Sequence, residues 1–324
     1  MIEPATINSK MMKVELHYFL KDSSHQMDAV VRHRCEGEIL KLISQIGYFL
    51  KIDPKPQTEA YSKGGLVEIW SFVFENQYLL GIISGVLISV ISNLINVDRE
   101  LANLQKESLT LEIQNKKLEL HNKLKDIDSG SQELLEEIKE ILFFILNKEY
   151  RVIRARSDFY KNLNKYPKVE KISGTQLSQN NQPIGEPTVV EREQFKKFIL
   201  YTDDVPSEID EDASIDVIAP VLKKGKYKWK GFYNGTPIDF YMKDKDFKES
   251  IFLKQISFTN GIKLKCVLEA SRKMNEAGEI YISSYSVLAV VSYQFDDNLV
   301  ETTQGRKYFL NKKSKSSQMK LFDE

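Results

Sequence analysis

The feature that most constrains the fold is an uninterrupted apolar segment in the first third of the chain. Residues Leu79–Val97 read LLGIISGVLISVISNLINV and include no charged side chain. A segment of this length can cross a bilayer as one helix. Helices of globular cores are usually amphipathic, whereas this segment is apolar on every side. It therefore predicts a transmembrane helix, and a helix fully buried in a globular core is the alternative.

Small residues within this segment give a second prediction. Gly81, Gly85 and Ser89 lie four positions apart, on one face of a helix. Such a row lets two helix backbones approach closely, so it predicts helix packing in a homo-oligomer. Lysine and arginine are more frequent after the segment than before it, which favours a cytoplasmic C-terminal side. The predicted location is the inner membrane with a cytoplasmic C-terminal domain, or the cytoplasm, as a soluble protein, if the helix is buried.

The chain around the segment predicts an α+β protein in several parts. Within residues 1–65, apolar and polar residues first alternate and then follow the pattern of an amphipathic helix. This predicts a small α/β domain with a strand near Val14–Leu20. Residues 66–163 are predicted to be long helices. Within 98–127, Leu104, Leu111 and Leu118 keep the seven-residue spacing of a coiled coil, with an antiparallel helical hairpin as the alternative. The middle of the chain is therefore predicted to be helical and self-associating.

The second half predicts a separate sheet domain. Residues 164–190 are rich in Gly, Pro, Ser and Asn, a composition typical of a linker. Residues 191–310 predict an antiparallel-sheet α+β binding domain, in which Asn234-Gly235 joins two strand-like segments as a hairpin. Residues 311–324 predict a flexible basic tail.

One strand of this domain is the best candidate for a ligand-binding surface. Tyr227, Trp229 and Tyr233 share one face of the predicted strand, and Lys228 and Lys230 share the other. An aromatic row can stack on bases or bind a peptide, while lysines can hold a phosphate backbone. The alternative is that the aromatic side chains form the core and the lysines face solvent.

The tail carries a second binding candidate. Its residues Gln318, Met319, Leu321 and Phe322 resemble the short peptide that bacterial replication proteins insert into the sliding clamp. The alternative is a terminal segment that packs back onto the preceding domain. The sequence thus predicts contact with nucleic acid or the replication clamp through the basic tail.

Residues for catalysis are harder to find. The phosphate-binding GxxxxGK[ST], the zinc-protease HExxH and the hydrolase GxSxG patterns are absent, and two cysteines, Cys35 and Cys266, are too few for a Cys-rich zinc site. Four carboxylates could be nuclease-type metal ligands, but no lysine follows the last of them at the spacing such nucleases use; they are Asp239, Asp244, Asp246 and Glu269. We predict no catalytic residue, metal ligand or cofactor. The basic and acidic residues both total 46, so no overall charge selects a partner.

The N-terminal part resembles a group of uncharacterised bacterial proteins encoded near phage-defence genes. The similarity rests on His17-Tyr-Phe-Leu, Ser24-His25, Met27-Asp-Ala and Gly64-Gly-Leu. It implies a role in antiviral defence. The leading hypothesis is a non-enzymatic, membrane-tethered oligomeric sensor or effector. The alternative is a soluble coiled-coil scaffold that binds nucleic acid or the sliding clamp, and an atypical nuclease ranks third.

Overall fold

The computed structural model divides the chain into two compact units. The residues it describes are 11–22, 24–61, 66–73, 76–93, 107–221, 223, 225–253, 256, 262–295 and 298–320. Unit 1 comprises residues 1–203 and 274–279, and unit 2 comprises residues 204–273 and 280–324. Each unit has its own β-sheet and its own buried core.

Unit 1 has a five-stranded antiparallel sheet in the order β2-β3-β1-β4-β5. The strands are β1 Met11–Leu20, β2 Gln57–Tyr61, β3 Leu66–Val73, β4 Val169–Leu177 and β5 Pro183–Glu191. The helices are α1 Ala29–Leu50, α2 Gln77–Ser92, α3 Glu107–Lys123, α4 Gln132–Lys148 and α5 Tyr150–Lys165, with short 3-10 helices at Leu124–Ser129 and Arg192–Phe198. On β1 every second residue, including Val14, Leu16 and Tyr18, is buried. This alternation confirms the strand predicted from sequence.

Up to Asn93, where the described residues end, the apolar segment is a largely buried helix, and the transmembrane prediction is wrong; residues 94–97 lie outside the described ranges. Helix α2 has 16 residues, and within the described ranges no helix is long and apolar enough to cross a membrane. It packs on β4, where Ile88 lies against Gly174, and on α4. Its residues Ile82, Ile83 and Leu87 are 0% exposed. Because sheet and helices cover most of α2, apolar side chains around most of its circumference are what the core requires, and the side with Ser89 stays exposed.

Within the chain, the small residues on α2 face different neighbours. A Cβ atom at Gly81 would lie 3.9 Å from Met12 Sδ of β1, and one at Gly85 would lie 3.9 Å from Lys139 Cε of α4. Ser89 is exposed, and its hydroxyl donates to the Gly85 carbonyl at 2.9 Å. The three positions thus have three different environments within one chain, and packing of this face against a second copy stays a prediction.

No long coiled coil is present among the described residues. The predicted segment 98–127 begins outside the described ranges, which resume at 107, and Leu104 lies outside them too. Helix α3 packs against α4, with Lys123 Nζ 2.6 Å from Glu137 Oε2. This is the helical hairpin that stood as the alternative. Leu111 and Leu118 remain 55% and 61% exposed, whereas Leu120 is buried.

The predicted linker is a β-hairpin. Residues 164–190 contain β4 and most of β5, and β4 pairs with the central strand β1. Almost every residue of the edge strand β5 is exposed, which explains its polar, linker-like composition. One core runs from Val14 through Ile145 to Ile199. The predicted domains 1–65 and 66–163 and the linker therefore belong to a single unit, and the sheet domain begins at 204 rather than 191.

Unit 2 is a small barrel with one helix between its third and fourth strands. Its elements are β6 Asp204–Ala219, β7 Lys228–Tyr233, β8 Thr236–Met242, α6 Lys245–Phe252, β9 Lys263–Met274, β10 Ile280–Phe295, β11 Asn298–Glu301 and α7 Thr303–Lys320. Strand β6 pairs antiparallel with β7 and β9, and β7 pairs antiparallel with β8. Strand β8 pairs parallel with β10, and β10 pairs with β9, which closes the ring. This connectivity is that of the five-stranded Greek-key barrel called the OB-fold.

Two local features hold the barrel together. The predicted β7–β8 hairpin is confirmed, because Asn234 and Gly235 both have positive φ, as a tight two-residue turn requires. Asp244 caps α6 by accepting from the Phe247 amide at 2.9 Å, and its other oxygen accepts from the Val290 amide of β10 at 2.8 Å.

The segment predicted as a flexible tail continues α7 as far as Lys320.

Candidate nucleic-acid interface

The two faces of β7 differ completely in chemistry. Trp229 points into the barrel, is 0% exposed, and has its ring centroid 6.0 Å from that of Phe240. Tyr233 is partly buried, and its hydroxyl donates to Asp210 Oδ2 at 2.7 Å. That hydrogen bond is the main cause that raises the pKa of Tyr233 to about 12. Of the five predicted ligand residues, these two therefore serve the barrel rather than an open surface.

Lysines and an aromatic ring occupy the outer face of the hairpin. Lys228 and Lys230 are exposed, and Phe232 is 43% exposed. Lys228 pairs with Tyr241 across the strands, and its ammonium lies 5.3 Å from the centroid of the tyrosine ring. We call this surface the β7–β8 face; it consists of Lys228, Lys230, Phe232, Pro237, Asp239 and Tyr241. Tyr227, 46% exposed, directly precedes it.

Strand β6 carries six acidic residues, and four of them pair with basic residues of the neighbouring strand β9. Lys265 Nζ lies 2.8 Å from Asp212 Oδ1, and Lys263 Nζ lies 3.6 Å from Asp216 Oδ1. Further along the same pair of strands, Arg272 pairs with Glu208, and Lys273 pairs with Asp204. These four ion pairs with β9 compensate most of the negative charge on β6.

The lysines of the β7–β8 face have no comparable partners. Within the part of the chain that the structure describes, Lys226, Lys228 and Lys230 form no ion pair. Residues 223–248 contain eight lysines and three aspartates, and one of those, Asp244, is a buried helix cap. Apart from Lys243, which pairs with Glu269, the hairpin and the loop that leads into it thus carry an excess of positive charge.

The carboxylates considered for a nuclease do not form a metal site. Asp244 is 5% exposed and has both oxygens bonded to backbone amides. Glu269 accepts from Lys243 Nζ at 2.7 Å. Among the described residues no three His, Cys, Asp or Glu side chains are grouped to hold a metal ion. These contacts give the nuclease hypothesis no support.

Sequence reasoning missed a buried carboxylate in unit 1. Glu68 of β3 has a side chain 1% exposed, and it accepts from Arg32 Nε at 3.0 Å and from the Tyr18 hydroxyl at 3.4 Å. Burial raises the pKa of Glu68 to about 7. The available signal is its position, since Glu68 shares strand parity with Trp70 and Phe72, which are buried. The carboxylate joins α1 to the sheet.

The predicted clamp peptide falls mostly beyond the description of side chains. Gln318 and Met319 belong to the backbone of α7, while Leu321 and Phe322 lie outside the described residues. Clamp binding stays a prediction.

A scan of protein-family models and searches of curated proteins and of solved structures find no match to this chain. The assignment of the barrel therefore rests on its strand connectivity. The resemblance to proteins encoded near phage-defence genes stays a hypothesis.

Proposed function

We propose that the chain binds single-stranded nucleic acid on the β7–β8 face. The observation that supports this most strongly is the position of the lysines without ion pairs. They lie on the second strand of the barrel and in the loop before it. These are the parts of an OB-fold that bind oligonucleotides.

The chemistry of the face suits this ligand. Lysine ammonium groups bind phosphates and release condensed counterions, which makes binding strong and dependent on salt. Phe232 and the partly exposed ring of Tyr241 offer flat apolar surfaces next to those lysines, and bases stack on such rings with little regard to sequence. The ligand is therefore a single strand, whose bases are free to stack, rather than a duplex.

The test compares two pairs of lysines. Lys228→Gln/Lys230→Gln removes two charges from the face, and Lys196→Gln/Lys197→Gln removes two exposed charges from the 3-10 helix of unit 1. Fluorescence anisotropy with labelled dT20 and rU20 should show binding about tenfold weaker or more for the first variant and within about twofold of wild type for the second. The slope of log K against log salt should fall by about 1.4 in the first variant only, because each phosphate contact on a single strand contributes about 0.7.

Two results would count against the proposal. Absence of binding by the wild-type chain at low salt would reject it outright. Equal weakening by both double variants would show that attraction is spread over the whole surface and does not reside on the β7–β8 face.

A further inference from the structure

A cleft lies between helix α6 and the β6–β7 loop, the loop that leads into the β7–β8 face. It has a volume of about 480 Å³ and is lined by Gly225, Lys245, Lys248, Glu249, Phe252 and Leu253. We call it the α6 cleft. Gly225 lies three residues before Lys228, so the cleft and the lysine face are close in sequence.

The β6–β7 loop forms one wall of the cleft, and the shape of this wall requires a glycine. Gly225 has φ of +143°, a conformation that other residues rarely adopt, and a Cβ atom there would lie 2.6 Å from the Tyr227 ring. Lys248 Nζ of α6 donates to the Gly225 carbonyl at 3.1 Å. This bond ties the helix to the loop, so the two walls of the cleft are held together.

The lining combines the groups that a nucleotide needs. Phe252 and Leu253 provide an apolar surface, and Lys245 and Lys248 provide positive charge. The Glu249 carboxylate accepts hydrogen bonds, and each of the common nucleobases carries at least one N–H donor. Ligand pockets of about 300–1,000 Å³ with mainly apolar walls and a few polar groups are typical of small-molecule sites.

We propose that the α6 cleft takes one unstacked base of the bound strand. The base packs on Phe252 and Leu253, and the adjoining phosphate lies near Lys245 and Lys248. This inference rests on the proposed function, because it names where a base of that same ligand is held. It predicts that the cleft contributes to binding only when bases are present.

The experiment uses two probes with the full chain. One is labelled dT20, and the other is an oligomer of equal length built from abasic tetrahydrofuran units. Phe252→Leu keeps an apolar side chain but removes the ring, and it should weaken dT20 binding about fivefold or more. Leu253→Ala, at a position 62% exposed, should weaken it about threefold without disturbing the fold. Neither variant should change binding of the abasic oligomer by more than about twofold.

Leu299→Ala is the matched control, because Leu299 of β11 is 66% exposed in the same unit and lies outside the cleft. It should bind both probes as the wild type does. Wild-type binding of dT20 combined with unchanged binding by Phe252→Leu and Leu253→Ala would overturn the cleft proposal and leave the β7–β8 face intact. Equal weakening on both probes would also overturn it, since the effect would then not involve bases. No binding of either probe by the wild type would reject the proposed function itself.

Discussion

Helix α2 and the β7–β8 hairpin were both predicted from hydropathy, and only the hairpin matched its predicted environment. Apolar and polar residues alternate along the hairpin, so its sequence predicts that one face is buried and the other faces solvent. The sequence of helix α2 is apolar on every side. This pattern predicts that the helix is shielded from water, but it does not show whether lipid or protein shields it. A bilayer and a surrounding protein core satisfy that pattern equally well. Alternation carries information about the environment that uniform apolarity lacks.

The two regions also differ in how their polar groups are satisfied. Backbone groups of the hairpin pair with each other. The C-terminal end of α2 depends on side chains from α5: Arg156 Nη1 donates to the Val90 carbonyl at 3.3 Å, and the Tyr160 hydroxyl donates to the Ile91 carbonyl at 2.7 Å. Both side chains are buried. Helix ends leave carbonyls without partners inside the helix, and distant residues supply those partners here.

The largest effect is expected from a charge placed in α2. Val86 is 2% exposed, so Val86→Arg buries an unpaired guanidinium and should lower the free energy of unfolding of unit 1 by about 4 kcal/mol or more. Ser89→Arg on the same helix is the control, because Ser89 is exposed, and it should stay within about 0.5 kcal/mol. Urea unfolding in a Trp229→Phe background, followed by Trp70 fluorescence and far-UV circular dichroism, measures both. Equal stability of the two variants would contradict the buried placement of α2.

A pair of phenylalanines tests the two faces of the hairpin. Phe240 is 0% exposed and Phe232 is 43% exposed. Phe240→Ala should cost about 3–5 kcal/mol of the stability of unit 2, because it leaves a cavity in the barrel, and Phe232→Ala should cost less than about 1 kcal/mol. Trp229 fluorescence during urea unfolding reports on the barrel when both variants are made in a Trp70→Phe background. A larger loss for Phe232→Ala would reverse the assignment of the faces.

The buried carboxylate of unit 1 makes the stability of that unit depend on pH. The pKa of Glu68 is raised by burial from 4.5 to about 7. The folded chain therefore binds more protons than the unfolded chain between those values. The stability that this protonation gives is fully present below about pH 4.5 and is lost as the pH rises through 7. The loss amounts to about 3 kcal/mol.

Glu68→Gln removes this titration. The free energy of unfolding of Glu68→Gln, relative to that of the wild type, should therefore increase as the pH is raised from 5 to 8, and urea unfolding at each pH measures it. Glu186→Gln, at an exposed position on β5, is the control and should follow the wild-type curve. If the difference between wild type and Glu68→Gln is constant with pH, Glu68 does not titrate as its burial predicts.

The smallest effect on stability is expected on α3. Leu111 is 55% exposed, so Leu111→Lys should change the free energy of unfolding by less than about 0.5 kcal/mol. Self-association through the exposed leucines of α3 stays a prediction, and if it occurs, light scattering should show a smaller mass for the variant than for the wild type. Leu120→Lys, at a buried position, should instead destabilise the chain. An unchanged mass for Leu111→Lys would remove α3 from any oligomer interface.

Local patterns predicted the elements that depend on local sequence. Strand β1, helix α1 and the β7–β8 hairpin follow from alternation, capping and the Asn234-Gly235 turn. The hairpin of β4 and β5 was missed because an exposed edge strand has the composition of a linker. The closure of the barrel joins β6 to β9 and β8 to β10, and pairings between such distant segments leave no local signal.

The candidate site was predicted in part. The sequence identified Lys228 and Lys230 and their position on one strand face, and the structure places both on the surface. It did not separate Trp229, which is core, from the lysines as ligand residues. It also gave no sign that Lys263 and Lys265 neutralise the aspartates of β6, because charge compensation depends on which strands become neighbours.

Hydrogen–deuterium exchange of the full chain with and without saturating dT20 tests the central claim most directly. Amide exchange reports where a ligand shields or stabilises the backbone, residue segment by residue segment. We expect slower exchange in β7, in β8 and in the loop that precedes β7, with the helices and sheet of unit 1 unchanged. Protection confined to unit 1 or to α7, with β7 and β8 exchanging as in the free chain, would contradict nucleic-acid binding on the β7–β8 face.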